Sequence, residues 1–232
     1  MVKATISRSQ YDLVDFNKLL FAICIVALHT KALSILPEQT EWIIEHIVFR
    51  LAVPFYFVMS AYFLGVKIQR NVNEKDAVFK AYRRRLLPSY LTWSTIGLLF
   101  MIVEDVRIEQ KSMLEIILHI VRTEIFYPRS AMWFVLACIV ASWIIQKLYD
   151  HRKALVCIAV LGYLFALTCN SYYWVFEGTV IQRVLSLYLK FCVSPRNGLF
   201  VGLPFMLIGF FMPSIIEKIR NWGDCPKTSE SV

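Results

Sequence analysis

Apolar runs long enough to cross a lipid bilayer recur along most of this chain, and they restrict what it can fold into. The first is FNKLLFAICIVALHTKALSIL, from Phe16 to Leu36, and the second is EWIIEHIVFRLAVPFYFVMSAYFLG, from Glu41 to Gly65. Roughly 20 helical residues cross a bilayer's hydrocarbon core. Inside lipid every backbone N–H and C=O must be satisfied within the protein, so helices are the simplest solution for such runs. Apolar residues make up 58% of the 232, and the mean hydropathy is +0.56, which excludes an ordinary soluble domain. The reading is an all-α, polytopic transmembrane helical bundle of about six spans. They fall at 16–36, 43–65, 86–104, 131–148, 154–171 and 198–216. Residues 111–126 and 178–193 mix apolar positions at helical spacing with charges, and are read as amphipathic helices lying on the outer surface. Residues 1–220 form one membrane domain, and the polar stretch 221–232 is read as a disordered tail.

The formal net charge of +8 raises the question of nucleic acid. The basic residues gather between spans, however, as topology determinants do, so no nucleic-acid partner is expected. The stretch from Lys67 to Arg85 carries seven of them and is read as a cytoplasmic loop. Alternation then places both termini in the cytoplasm, with sixteen basic residues inside, eight outside and Arg50 within a span. None of the six cysteines forms a C-x-x-C pair or lies at zinc-ligand spacing with a histidine, so no metal is expected. Cys169 and Cys192 fall where an outer disulfide is conceivable. No cleavage signature follows the first run, which reads as a retained span. No internal repeat supports an inverted-repeat transporter.

Chemistry concentrates in the first two runs. His29 lies inside the first, and Lys18 precedes it by three turns of a 3.6-residue helix, on nearly the same face. Arg50 lies inside the second. A charge at the centre of a span costs roughly 2.5 kcal/mol or more and usually marks a functional pathway. The expected depths of His29 and Arg50 are similar. The plain alternative for His29 is a neutral imidazole bonded to a neighbouring helix. His46, one turn from Arg50, reads as an interfacial residue. The cluster Arg83-Arg84-Arg85 has two readings: topology and lipid headgroups, or a mouth for phosphate groups, which guanidinium pairs with well. Pro54 frees a carbonyl within its helix. Ser60 and Tyr62 offer hydrogen bonds, and Trp133 an interfacial anchor.

Together these residues resemble the membrane acyltransferase-3 family, whose members acylate exported glycans. Lys18 and His29 match its pattern of a basic residue, ten intervening positions and a histidine. FRLAVPFYFVMSAYF, from Phe49 to Phe63, is similar to its R-x-x-V-P-x-F-F-x-x-S-G-Y-F run. YRRRLLPSYL (Tyr82 to Leu91) resembles its basic segment leading into a leucine-proline-tyrosine helix start. AMWFVLACI (Ala131 to Ile139) resembles its tryptophan helix, and RNGLFVGLPFMLIGFF (Arg196 to Phe211) its glycine-rich late span. The matches cover most of residues 12–212. The chain departs from the pattern at Ala61 for the usual glycine, Tyr82 for an arginine, Ala131 for a histidine and Lys18 for an arginine. Family members generally have about ten spans of roughly 20 residues, so the expectation from the resemblance is a short or C-terminally truncated member.

The resemblance implies an acyltransferase that moves an acetyl or other short acyl group from acyl-CoA to a hydroxyl or amino group of a cell-envelope glycan. It implies a multi-pass protein of the bacterial inner membrane. His29 and Arg50 would be catalytic, the first as general base or acyl relay and the second stabilising developing negative charge. Lys18, Arg83, Arg84 and Arg85 would hold the phosphates of acetyl-CoA. No acidic residue in these spans stands out as a partner that orients His29. Two other readings remain: a transporter of a small amino acid such as serine, and a truncated remnant without activity.

Overall fold

The computed structural model describes residues 8–126 and 132–223, and every regular element among them is helical. Helix α1 spans Arg8–Thr30. Helix α2 (Glu38–Ile43) continues through a π turn at Ile44–Val48 and a 3₁₀ turn at Phe49–Leu51 into α3 (Ala52–Arg70). The next elements are α4 (Lys75–Arg107), α5 (Met113–Phe126), α6 (Met132–Lys147), α7 (Arg152–Asn170) and α8 (Val180–Cys192). A second π turn, Gly198–Gly202, leads into α9 (Leu203–Gly223).

Five helical runs are long and apolar enough to cross a membrane: Asp12–Thr30, Glu38–Arg70, Val72–Arg107, Arg152–Asn170 and Gly198–Trp222. The sixth expected span is α6, an apolar helix of 16 residues, about 24 Å long. Large apolar side chains cover the outer surfaces of these helices. Leu13, Phe16, Ile23 and Val26 do so on α1, Leu99 and Phe100 on α4, and Leu161 and Leu164 on α7. Facing water, such surface would cost about 25 cal/mol per Å²; facing hydrocarbon, it costs nothing. The chain is a multi-pass helical membrane protein. The two expected amphipathic segments are helical as well: they are α5 and α8, packed on one another.

Several boundaries move. The first span ends at Thr30, not 36: Lys31 takes a left-handed backbone (φ 49°) and the chain turns through to Pro37. The expected cytoplasmic loop is mostly helix. Only residues 71–74 lie between α3 and α4, because lysine and arginine are good helix formers and charge alone does not end a helix. Pro88 lies inside α4 rather than at a helix start, leaving the Arg84 carbonyl without its usual N–H donor. Helix α9 continues to Gly223, three residues into the expected tail. Residues 224–232 and Ala131 lie outside the described residues. Cys169 and Cys192 are free thiols, not a disulfide.

The chain divides into two compact units, Met1–Arg70 with Ile208–Val232, and Asn71–Leu207. In the first, α3 and α9 cross with backbones in contact. A Cβ on Gly65 would stand 2.5 Å from the Phe210 carbonyl oxygen, and one on Gly209 would collide with the Val58 carbonyl. The glycines of the late span therefore let two helices touch, as small residues do in membranes. Ala61, Phe57 and Ile68 of α3 are all buried in this unit. The Gln69 amide donates to Ser214 Oγ at 2.6 Å.

In the second unit α6 packs on α4 and on the π turn before α9, which also packs on α7. Gly198 allows this, since a Cβ there would come within 2.6 Å of Val140 Cβ. The Asn197 side chain accepts from the Leu199 and Phe200 amides and so caps the turn. The rings of Phe165, Tyr188 and Phe200 pack together at centroid distances of 4.9–5.9 Å.

Candidate functional site

In the first unit α1 packs antiparallel to α3 and the 3₁₀ turn before it. The register is set by Phe21 against Phe55 (4.6 Å between rings), the Tyr56 hydroxyl donating to the Lys18 carbonyl (2.6 Å), and the Lys18 ammonium over Phe63 (5.1 Å). Continued along both helices, this register brings Arg50 within about one turn of His29 in depth. The two are thus at similar levels, and His29 lies in the last turn of α1. Both side chains are exposed on the surface of the chain, so Arg50 is within a membrane run without being buried in protein. No acidic group among the described residues bonds to His29.

The backbone around Arg50 is irregular for a reason visible in the sequence. Pro54 has no N–H for the carbonyl four residues back, which is that of Arg50. The helix adjusts with a 3₁₀ turn at Phe49–Leu51, preceded by the π turn. Such π turns inside helices occur frequently at functional sites. His46, within that turn, donates from Nδ1 to the Trp42 carbonyl at 3.0 Å and stacks on its indole. That engagement fits an anchoring role.

Lys18 is less free than the sequence implies. Its ammonium pairs with Asp15 at 2.8 Å and covers the Phe63 ring. The arginine cluster, in the second unit, divides. Arg83 Nη2 donates to Gln146 Oε1 at 2.6 Å, and the Gln146 amide donates to Asp76 at 2.6 Å, tying α4 to α6. Arg84 and Arg85 are exposed and engage no carboxylate among the described residues. They suit phosphate oxygens; Arg83 serves packing. Nearby, Lys75 pairs with Asp150 (3.3 Å) and covers the Tyr149 ring.

The sequence reading missed one constellation. Asp105, near the end of α4, is fully buried. Its Oδ1 accepts from Lys111 Nζ at 2.9 Å and its Oδ2 from His119 Nδ1 at 2.6 Å. Lys111 also pairs with Glu109. Hydrogen bonds to Glu109 and Asp105 hold the Lys111 ammonium above its ordinary range. Helix α5, which carries His119, starts with a reciprocal cap. The Ser112 amide and hydroxyl donate to Glu115 Oε2, each at 2.8 Å, and hold that carboxyl below the usual carboxylate range. In the sequence Glu115 and His119 read as polar positions of a surface helix over 111–126, and Asp105 falls between that helix and the span 86–104. The available signal was slight: an acidic pair, Glu104-Asp105, closing an apolar run.

The family model described as an acyltransferase domain matches residues 12–224, nearly the whole chain. The chain belongs to the acyltransferase-3 family. As a member of that family it carries His29, Arg50 and the arginine cluster within the matched residues. It is similar, at 26% identity over 219 residues, to a protein named amino-acid racemase from Enterococcus faecalis, with 92% of this chain and 30% of that protein covered. It is also 24% identical over 219 residues to a serine/alanine racemase from Enterococcus gallinarum, covering 88% of this chain and 29% of that one. The chain thus spans about 30% of the length of the relatives it matches. No solved structure matches it.

Proposed function

We propose that this acyltransferase-3 chain transfers an acetyl or other short acyl group from acyl-CoA to a hydroxyl or amino group of a cell-envelope glycan, in a bacterial inner membrane with both termini cytoplasmic. The observation that carries this reading is the acyltransferase family match over residues 12–224, which contains His29 and Arg50. Arg84 and Arg85, exposed and without carboxylate partners among the described residues, are the side chains best suited to the coenzyme's phosphates. Arg83 and Lys18, each already engaged, contribute less. His29 acts as general base or relays the acyl group, both roles open to an imidazole nitrogen. Arg50 stabilises the negative charge that develops on the acyl oxygen.

The test is transfer of labelled acetyl from acetyl-CoA to envelope glycan in membranes containing the chain. His29→Ala should lower the rate by about 10²–10⁴-fold, the usual contribution of a general acid or base, with the amount of inserted protein unchanged. Wild-type transfer by inserted His29→Ala protein would remove His29 from the mechanism. The racemase-named relatives favour a second reading, movement of a small amino acid such as serine across the membrane. Uptake of labelled serine that needs no acyl-CoA would establish that reading instead.

A further inference from the structure

Arg84 and Asp105 lie on one helix, α4, about 30 Å apart along its axis at 1.5 Å per residue. That separation is close to the thickness of a bilayer's hydrocarbon core, about 30 Å. Placing the exposed arginines at one membrane face therefore brings the Asp105 cluster to the other. At that far end stands a histidine whose tautomer is fixed. With Asp105 ionised, the short contact at Oδ2 requires His119 Nδ1 to carry a proton and donate it. Nε2 is left as the basic nitrogen, with no hydrogen-bond partner among the described residues, and the His119 side chain is 27% exposed. A buried carboxylate holding Nδ1–H both orients an imidazole and stabilises the imidazolium it becomes.

Charged groups surround it. Asp105 and Glu109 each form an ion pair with the Lys111 ammonium, which also stands 3.2 Å from Nδ1. Glu115, at the start of α5, is a third carboxylate on the Lys111 side of the cluster. On the same helix, Arg122 is directed to the Leu189 carbonyl (3.4 Å), and α8, which packs on α5, contributes Arg183 and Lys190. Neither Arg122 nor these two forms an ion pair with Asp105.

We propose that His119, positioned by Asp105 and Lys111, is a second proton-handling residue, which takes the proton of the acceptor hydroxyl at the membrane face opposite Arg84 and Arg85. This rests on the acyl-transfer reading in the form where His29 relays the acyl group, leaving the acceptor's proton to His119. In the step, the acceptor O–H bond breaks and its oxygen forms the ester bond to the acyl carbon. The bond from that carbon to its carrier breaks, the electron pair leaving with the carrier atom, and the hydroxyl proton goes to His119 Nε2. When donor and acceptor occupy opposite faces, the proton lost by the hydroxyl is released on the acceptor's side. A base is therefore required there, whatever carries the acyl group across.

His119→Gln separates this role from simple fastening. Glutamine retains an N–H for Asp105 but carries no titrating proton. Membranes containing wild type or variant are given labelled acetyl-CoA and a hydroxyl acceptor across a range of pH, with inserted protein and its melting temperature measured alongside. The expected result is a loss of about 10²-fold or more in transfer, disappearance of the limb of the pH profile that reports the base, and an unchanged melting temperature. Asp105→Asn should show the same limb displaced, because the amide no longer stabilises the imidazolium. Wild-type rate and pH profile in folded His119→Gln protein would overturn the proposal while leaving acyl transfer standing. Absence of transfer by the wild-type chain itself would overturn the acyl-transfer reading, and this proposal with it.

Discussion

Three consecutive arginines have different partners because a helix turns 100° per residue, so neighbours in sequence face different surroundings. Arg83 points at α6, where Gln146 and Asp76 continue its hydrogen-bond chain. Arg84 and Arg85 stay exposed. Arg83→Gln is therefore expected to lower the melting temperature in detergent, leaving the coenzyme affinity of the folded fraction nearly intact. Breaking a partly buried bond to a charged group costs about 1.5–3 kcal/mol. Replacing Arg84 and Arg85 together by glutamine should do the reverse: weaker acyl-CoA binding, a smaller dependence of that binding on salt, and no change in melting temperature. Equilibrium binding of labelled acyl-CoA at two salt concentrations, with a melting curve for each variant, checks both. Equal effects of the two replacements on binding would mean that the three act as one charge patch. The sequence made all three legible as basic residues at a boundary. It could not divide them, because the division depends on which face of α4 meets α6.

At the scale of elements, glycines act by where helices touch, and the chain contains its own control. Gly209 and Gly65 lie where α9 and α3 meet backbone to backbone, whereas a Cβ on Gly97 of α4 would have nothing within 4 Å. Gly209→Ala forces the two helices apart. The cost is expected at about 1–3 kcal/mol, as for other overpacked sites, and is read as a lower melting temperature and less inserted protein. Gly97→Ala should be neutral or stabilising by up to about 1 kcal/mol, since alanine is the better helix former. Opposite signs for one substitution at two helical glycines cannot come from helix propensity. The sequence announced a glycine-rich late span, but not its partner helix, because a crossing is a relation between distant segments. The irregular turn before α3 was half legible in the same sense. Pro54 predicted a freed carbonyl, and the structure assigns it to Arg50 and adds the π turn ahead of it.

Across the whole molecule, the class was the most legible property, because membrane-length apolar runs leave few alternatives to a helical bundle. Boundaries were less so. The basic stretch read as a loop is largely the first turns of α4, since positive charge marks a membrane face without breaking a helix. The Asp105 cluster was hidden because its members come from α4, the turn after it and α5, and only folding unites them. The charge bias nevertheless yields a testable expectation about orientation. Helix α4 is about 50 Å long, so the exposed residues Val72 and Ile108, just beyond its two ends, should stand on opposite sides of the membrane. In a background with the six native cysteines replaced by serine, Ile108→Cys should react with a membrane-impermeant thiol reagent added outside intact cells. Val72→Cys should react only after the membrane is opened. Labelling of Val72→Cys alone in intact cells would invert the topology, and labelling of both would show that α4 does not cross. Inversion would move the arginines away from cytoplasmic acyl-CoA, so this one measurement bears on the orientation and on the direction of the proposed transfer together.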